Sequence, residues 1–493
     1  MAARFANYTA ALVLLIALLL QGFLALMSVA ESSTQEPQSQ SWQAQFGNAA
    51  TPIHHASTFT SSTSRIKQHV REVDMWRAAF ERDAQRGRRL HEAAAAAAPA
   101  HSGCTAAAAV KMPVSSGFEL ASTGSYFARL TVGGGRDPHS RRDVYMIMDT
   151  GSDLSWVQCQ PCGQSCFEQL DMPIFDPAAS SSLRNVSCRS PLCADVPAPT
   201  SCSPSPASCA YDLVYFDGSS TSGSLITDTL TLGSGHSFPN MALGCSTAST
   251  GGFVGAAGVL GLGAGSLSLP SQLQKSGHSS SFSYCLPALF SSSNSSLTFG
   301  APIAPHTVFT PLVRNPNFAL QNHYYVNLKG ISVGGRRLPI PAFLFRMNRH
   351  TGEGGTMIDS GTSITTMPAL AYNTLRDAIR SAISAKATHL RPADPLEPVF
   401  DTCYLPVKQT HSYNVYDGIP SVVLHLAHGA DLELAASNVM APIELTGSDK
   451  RLCLNMAPSA RNTTVLGNIQ QQGIRFTFDS HNARLGFSTA KAC

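Results

Sequence analysis

The sequence predicts a β-rich fold built from two related halves, and three observations carry that expectation. From Gly124 onward, short runs rich in Val, Ile, Leu, Phe, Tyr and Thr alternate with Gly, Ser, Asn and Pro, the texture of strands separated by turns. Asp149-Thr150-Gly151-Ser152 and Asp359-Ser360-Gly361-Thr362 write one short phrase twice, after the apolar runs 144–148 and 355–358. An apolar-apolar-Gly segment then follows each phrase at nearly the same distance. Leu260 of Val259-Leu260-Gly261 lies 111 residues beyond Asp149, and Leu466 of Val465-Leu466-Gly467 lies 107 beyond Asp359.

Taken in order, the chain opens with Arg4 and an apolar stretch over 10–29 broken only by Gln21, Gly22 and Ser28, with Ser28 and Ala30 at cleavage-type spacing. This reads as a signal peptide over 1–30. The stretch is also about long enough to cross a bilayer, so an uncleaved anchor is the structural alternative. Residues 31–64 are rich in Ser, Gln and Thr, whereas 65–98 mixes charges with Ile66, Val70, Met75, Trp76, Phe80 and Leu90 and reads as a helix. Ahead of a secreted protein such a helix is either part of a removable prosegment, 31–115, or a solvated linker; the mature chain then begins between Val114 and Ser125. Strands are expected at 125–132, 211–216, 323–328 and 422–426, and a helix over 370–387. The Pro-rich stretch 301–316 separates a first half, 116–305, with a Cys-rich insertion, from a second, 306–493.

Composition narrows the function. The chain has 493 residues, 43% hydrophobic and 13% charged, which suits a well-buried fold. Its net charge of +3 comes from residues 1–115, with 10 Lys/Arg against 7 Asp/Glu; the remainder is neutral, and nothing predicts nucleic-acid binding. Cys104 precedes an even set of twelve cysteines, enough for six disulfides in an oxidising compartment. That context favours disulfides over a zinc or redox reading of Cys159, Cys162 and Cys166. Sequons at Asn185, Asn294 and Asn462 fit the same route. The glycines from Gly258 to Gly265 are not in the dinucleotide arrangement, and the histidines lack metal-ligand spacing, so no metal or cofactor is expected.

The repeated phrase carries the chemistry. An apolar strand running into Asp-Ser/Thr-Gly delivers a carboxylate at its tip; the Gly lets the backbone turn, and the hydroxyls of Thr150, Ser152, Ser360 and Thr362 can hold the carboxylates. One such phrase would be a surface turn. Two in matched contexts point to carboxylates that meet, hold one proton between them and titrate as a unit. The ionised member can draw a proton from a water while the other polarises a carbonyl.

With these motifs the chain, from about residue 124 to its end, resembles pepsin-type aspartic endopeptidases, and most closely the plant nepenthesin-type branch. The stretch from Asp149 to Cys159 is similar to that family's first active-site segment with its Trp, and Tyr215-Phe216-Asp217-Gly218-Ser219 is similar to its flap. The Cys-rich stretch 159–209, the stretch 282–286 and the C-terminal Cys493 resemble features of the branch. The resemblance implies an all-β, bilobal fold with a central cleft. It implies Asp149 and Asp359 as catalytic residues, supported by Thr150, Gly151, Ser152, Ser360, Gly361 and Thr362, with Ser152 and Thr362 on the outer carboxylate oxygens. Tyr215 would close over the cleft, Trp156 would hold it from below, and Val259-Leu260-Gly261 and Val465-Leu466-Gly467 would buttress the aspartates. It further implies a Cys403–Cys453 disulfide and an acid-active, secreted monomer that cleaves polypeptides, needs no cofactor and is free of membrane once the signal is removed. The cell exterior, apoplast or wall, is the expected destination, with vacuole or plastid as alternatives.

Two departures stand out: Phe216 replaces the usual flap Gly, and the longer basic loop 133–142 replaces a short Gly-x-Pro turn. The rival reading is a catalytically inactive relative that binds or inhibits other proteins, such as glycan-degrading enzymes. A glycosidase with two carboxylates has no support beyond their number.

Overall fold

A computed structural model describes residues 109–489 apart from 163–165, 171, 197–207, 234, 294, 318–319, 397–398, 408–413, 445–449 and 460. The signal, the helix expected over 65–98, Asn294, Cys104, Cys202 and Cys493 lie outside the described residues. What is described is two β lobes joined by a shared sheet. The largest sheet has fourteen strands, and at its centre Arg142–Asp149 runs beside Gly258–Gly261 in parallel, Met146 opposite Gly258 and Asp149 opposite Gly261. Trp156–Gln158 pairs antiparallel on the far side of Gly258–Gly261. Met146 and Met148 on one face of Arg142–Asp149 and Ile147 on the other are all buried, as a strand covered on both faces requires.

The second lobe repeats this arrangement within a five-stranded sheet. Thr356–Ile358 runs parallel to Thr464–Leu466, and Thr365–Pro368 pairs antiparallel with the latter through Thr366 and Val465. In each lobe the apolar-apolar-Gly segment therefore lies between the strand carrying an aspartate and the strand leaving it. The lobes are stitched by Phe282–Cys285 pairing with Ile474–Asp479 in the large sheet, where Phe282 stacks on Phe478 at 4.6 Å and Tyr284 on Phe476 at 6.0 Å. Such aromatic pairs add about 0.5–1.5 kcal/mol each beyond their burial.

The expected strands occur at Tyr126–Val132, Ala210–Val214 and Val422–Leu426, and the expected helix at Ala369–Lys386, where Leu375, Ile379 and Ile383 form a buried stripe four residues apart. The run expected at 323–328 is divided. Tyr324–Val326 pairs with Thr356–Ile358, and Leu328–Val333 pairs with Val422–Leu426 in another sheet; between them the Asn327 carbonyl accepts from Ala427 N–H at 2.9 Å. Disulfides join Cys159–Cys245, Cys162–Cys166, Cys193–Cys209 and Cys403–Cys453, and Cys188 and Cys285 are disulfide-bonded as well.

The boundary expected between residues 115 and 116 falls inside a strand. Val110–Ser116 pairs with Ser295–Phe299 on one side and Tyr126–Val132 on the other, burying Val110, Met112 and Val114 while Lys111 and Pro113 face out. A chain starting between Val114 and Ser125 would lack the buried Val110 and Met112 of this strand. Pro113 hides this strand in the sequence, because proline in a run argues against a central position in a sheet. A chain beginning at Ser116 is expected to lose roughly 5 kcal/mol of unfolding free energy relative to one beginning at Ala109, since each buried side chain contributes about 1.5–3 kcal/mol. Denaturant midpoints that coincide for the two chains would refute this placement.

Candidate functional site

The two strand tips deliver their carboxylates to one place. Asp149 ends Arg142–Asp149 and Asp359 follows Thr356–Ile358; they are 3% and 0% exposed. Gly151 N–H donates to Asp149 Oδ1 at 2.9 Å and the Ser152 hydroxyl to Oδ2 at 2.6 Å. In the second lobe Gly361 N–H donates to Asp359 Oδ1 at 2.9 Å and the Thr362 hydroxyl to Oδ2 at 2.7 Å. Each carboxylate lies against the other's glycine: a Cβ on Gly151 would sit 2.8 Å from Asp359 Oδ2, and one on Gly361 would collide with Asp149 Oδ1. Glycine is needed at both positions for this close approach.

Thr150 and Ser360 do something other than the expected holding of carboxylates. Thr150 N–H donates to Ser360 Oγ at 3.1 Å and Ser360 N–H to Thr150 Oγ1 at 3.0 Å. The hydroxyls continue across the lobes, Thr150 Oγ1 donating to the Ile358 carbonyl at 3.2 Å and Ser360 Oγ to the Met148 carbonyl at 2.9 Å. Facing tips turn these side chains toward the opposite strand end, so the residue after each aspartate joins the lobes and the third residue after it holds the carboxylate. All four bonds are buried; losing one partner of such a bond costs about 1–3 kcal/mol.

Both apolar-apolar-Gly segments brace the tips. Leu262 N–H donates to the Asp149 carbonyl at 2.8 Å, and Asp359 N–H donates to the Leu466 carbonyl at 3.1 Å. Two residues that sequence reasoning missed lock these segments: Ser155 Oγ accepts from Gly261 N–H at 3.0 Å, and Thr365 Oγ1 accepts from Gly467 N–H at 2.9 Å. Each is a hydroxyl six residues beyond its aspartate, so superposing the two phrases and reading onward would have found them. In the second lobe Gln471 adds a further tie, donating to the carbonyls of Asp359 and Leu466 while accepting from the Tyr284 hydroxyl at 2.5 Å. Burial and then the charge of Asp359 push the Tyr284 hydroxyl well up, so it remains a donor.

The segment expected as a flap is the turn between Ala210–Val214 and Ser220–Leu232. Tyr215 N–H donates to the Ser219 carbonyl at 2.7 Å, and Asp217 accepts from Ser219 N–H at 2.8 Å and its hydroxyl at 2.6 Å. The Tyr215 hydroxyl accepts from Trp156 Nε1–H at 2.7 Å. Trp156 is fully buried edge-on to Phe253, with ring centroids 4.9 Å apart, and Phe253 also meets Tyr215 at 5.6 Å. Phe253 went unnoticed in the sequence because nothing local distinguishes it. Burial, then the Asp149 charge, push the Tyr215 hydroxyl well up, so it stays protonated near the carboxylates. Phe216 reaches the second lobe, its ring 6.2 Å from that of His323.

Other expected residues lie elsewhere. Cys403 and Cys453 sit opposite each other on adjacent strands with Cα atoms 4.1 Å apart. Asn185 is exposed on the short edge strand Arg184–Asn185. Asn462 lines a cavity of about 310 Å³ with Tyr325, Glu353 and Arg461, and neither carboxylate borders it. Among the described residues no cluster of His, Cys, Asp and Glu could hold a metal.

Two family profiles match, the xylanase inhibitor N-terminal region over residues 126–301 and the xylanase inhibitor C-terminal region over 323–489. The chain is 40% identical over 367 residues to Protein ASPARTIC PROTEASE IN GUARD CELL 2 of Arabidopsis thaliana, covering 74% of this chain and 72% of the relative. It is 38% identical over 378 residues to aspartic proteinase nepenthesin-1 of Nepenthes gracilis, covering 75% and 79%. Its fold is similar to that in the crystal structure of edgp, with a TM-score of 0.62 at 21% identity, covering 79% of this chain and 96% of that one.

The two bracing hydroxyls make a matched prediction. Ser155→Ala and Thr365→Val each leave a buried glycine N–H without its acceptor and should each lower unfolding free energy by about 1–3 kcal/mol. Chemical denaturation measures this, and a loss confined to one lobe would contradict equivalent bracing.

Proposed function

The chain belongs to the pepsin-like aspartic proteases, in their plant nepenthesin-like branch, and on that premise we propose that it is a secreted endopeptidase active in acid. One observation carries the reading: both carboxylates are present, each with a hydroxyl on Oδ2 and a glycine N–H on Oδ1, and each packed against the other's glycine. In the proposed reaction Asp149 and Asp359 hold one proton and a water between them. The ionised carboxylate removes a proton from that water as it attacks the scissile carbonyl, and the protonated carboxyl donates to the carbonyl oxygen. The tetrahedral adduct collapses as the amine leaves with a proton, and no acyl-enzyme forms. Tyr215, oriented by Trp156, covers the substrate and limits bulk water.

Secretion is supported by the apolar N-terminal stretch and the disulfides, and exposed Asn185 and Asn462 are available for glycans. Residues 31–115 are the proposed prosegment, its last residues lying in the strand Val110–Ser116, and the substrate is a polypeptide taken up by a monomer. The second reading, a protein-binding inhibitor without catalysis, is favoured by the description of the matching family profiles and by Phe216 in the flap.

Asp149→Asn should lower kcat/KM on an unfolded protein substrate by about a thousandfold or more at acid pH, within the range of lost acid–base catalysis. Pepstatin, a mimic of the tetrahedral adduct, should inhibit the unsubstituted protein. Equal cleavage by both proteins contradicts the assignment; absence of cleavage by either supports the inhibitor reading. Activity should fall as pH rises toward neutrality, and a profile flat to pH 9 would also count against the pair.

A further inference from the structure

The duplication breaks at the fourth residue after each aspartate, which is Asp153 in the first lobe and Ser363 in the second. Asp153 is 7% exposed, and its Oδ1 accepts from Gly265 N–H at 2.8 Å. The Asn322 side chain hydrogen-bonds it as well. A Cβ on Gly263 or Gly265 would run into its carboxylate, so the glycines after the first buttress are what make room for it. Backbone bonds close the same junction: Gly263 N–H donates to the Ser152 carbonyl at 2.9 Å and Ala264 N–H to the Asn322 carbonyl at 2.8 Å. The Tyr324 hydroxyl donates to the Leu262 carbonyl at 3.0 Å. Three segments therefore meet at Asp153: the loop holding Asp149, its glycine buttress, and residues 322–324 of the second lobe, which enter the strand paired with Thr356–Ile358 ahead of Asp359.

The Asp149 charge, on the same loop, opposes ionisation of this carboxyl; the Tyr324 hydroxyl, kept neutral by burial, faces it from the second lobe, and among the described residues Asp153 makes no salt bridge. Burial acts most strongly and the Asp149 charge adds to it; the bonds from Gly265 and Asn322 act the other way, and the result is a carboxyl pushed up to about 7. We propose that Asp153 is a positioning residue for the catalytic pair, a pin that ties the Asp149 loop to its buttress and to the second lobe, and that a charge on this carboxyl, buried beside Asp149, destabilises the fold it pins. This deepens the reading of the chain as an acid protease, and only its activity test rests on that reading.

An aspartate in the unfolded chain ionises around 3.8, whereas Asp153 in the fold holds its proton to about 7. Its stabilising contribution is therefore complete below the unfolded value and is lost as pH rises through the folded one, because the unfolded state releases the proton first.

The experiment measures denaturant unfolding of the disulfide-bonded protein from pH 4 to pH 8, with Asp153→Asn and with Asp153→Ser, the residue type of the second lobe. Between those limits the unfolding constant of the unsubstituted protein should rise at least about tenfold more than that of either variant. In parallel, each protein is held at pH 7.5 and assayed in acid. The unsubstituted protein should lose activity several times faster than Asp153→Asn, each relative to its own starting rate. Parallel pH profiles of unfolding overturn the proposal whatever the activity. If both variants fail to fold, infrared titration of the unsubstituted protein decides, with a buried carboxyl deprotonating near pH 7 expected and its absence contrary. A protein that cleaves nothing but shows the predicted unfolding profile retains the pin and loses the protease reading.

Discussion

Everything at the candidate site depends on a reciprocal exchange between two residues 210 positions apart. Thr150 and Ser360 each give a backbone N–H to the other's hydroxyl and send that hydroxyl to the opposite strand end. The exchange fixes the spacing of the tips from both sides, so the carboxylates approach without relying on contact with each other. Like-charged groups could not supply that force themselves. The lobes also share a sheet through Phe282–Cys285 and Ile474–Asp479, and its stacked rings give the exchange a stiff frame.

Burying two carboxylates costs several kcal/mol unless their oxygens are satisfied. The fold meets this demand with the same local means twice, a glycine N–H and a hydroxyl three residues beyond each aspartate. The same glycines remove the side chains that would keep the acids apart, so one residue type serves both hydrogen bonding and approach. Symmetry ends away from the tips: the turn carrying Tyr215, bonded to Trp156, belongs to the first lobe, as does the buried Asp153, while Gln471 and Tyr284 tie down Asp359.

Much of this was legible in the sequence because the chemistry is local. A strand tip with an aspartate, a turn glycine and a hydroxyl occupies four residues, and its repetition revealed the two lobes and the buttress segments. The function of Thr150 and Ser360 was not legible, since a hydroxyl's direction depends on a partner strand that only the fold brings near. Phe253 under Trp156 was hidden for the same reason. Val110–Ser116 was obscured by Pro113, and the division at Asn327 by a run of strand formers that continues unbroken while the chain changes sheets.

The most direct test of the account counts protons. Potentiometric titration of the protein against its Asp149→Asn variant should show that the unsubstituted pair releases its protons in two separated steps, with only one step left in the variant. Two independent and ordinary carboxylate titrations, of which the variant simply loses one, would contradict the claim that Asp149 and Asp359 act as a single acid.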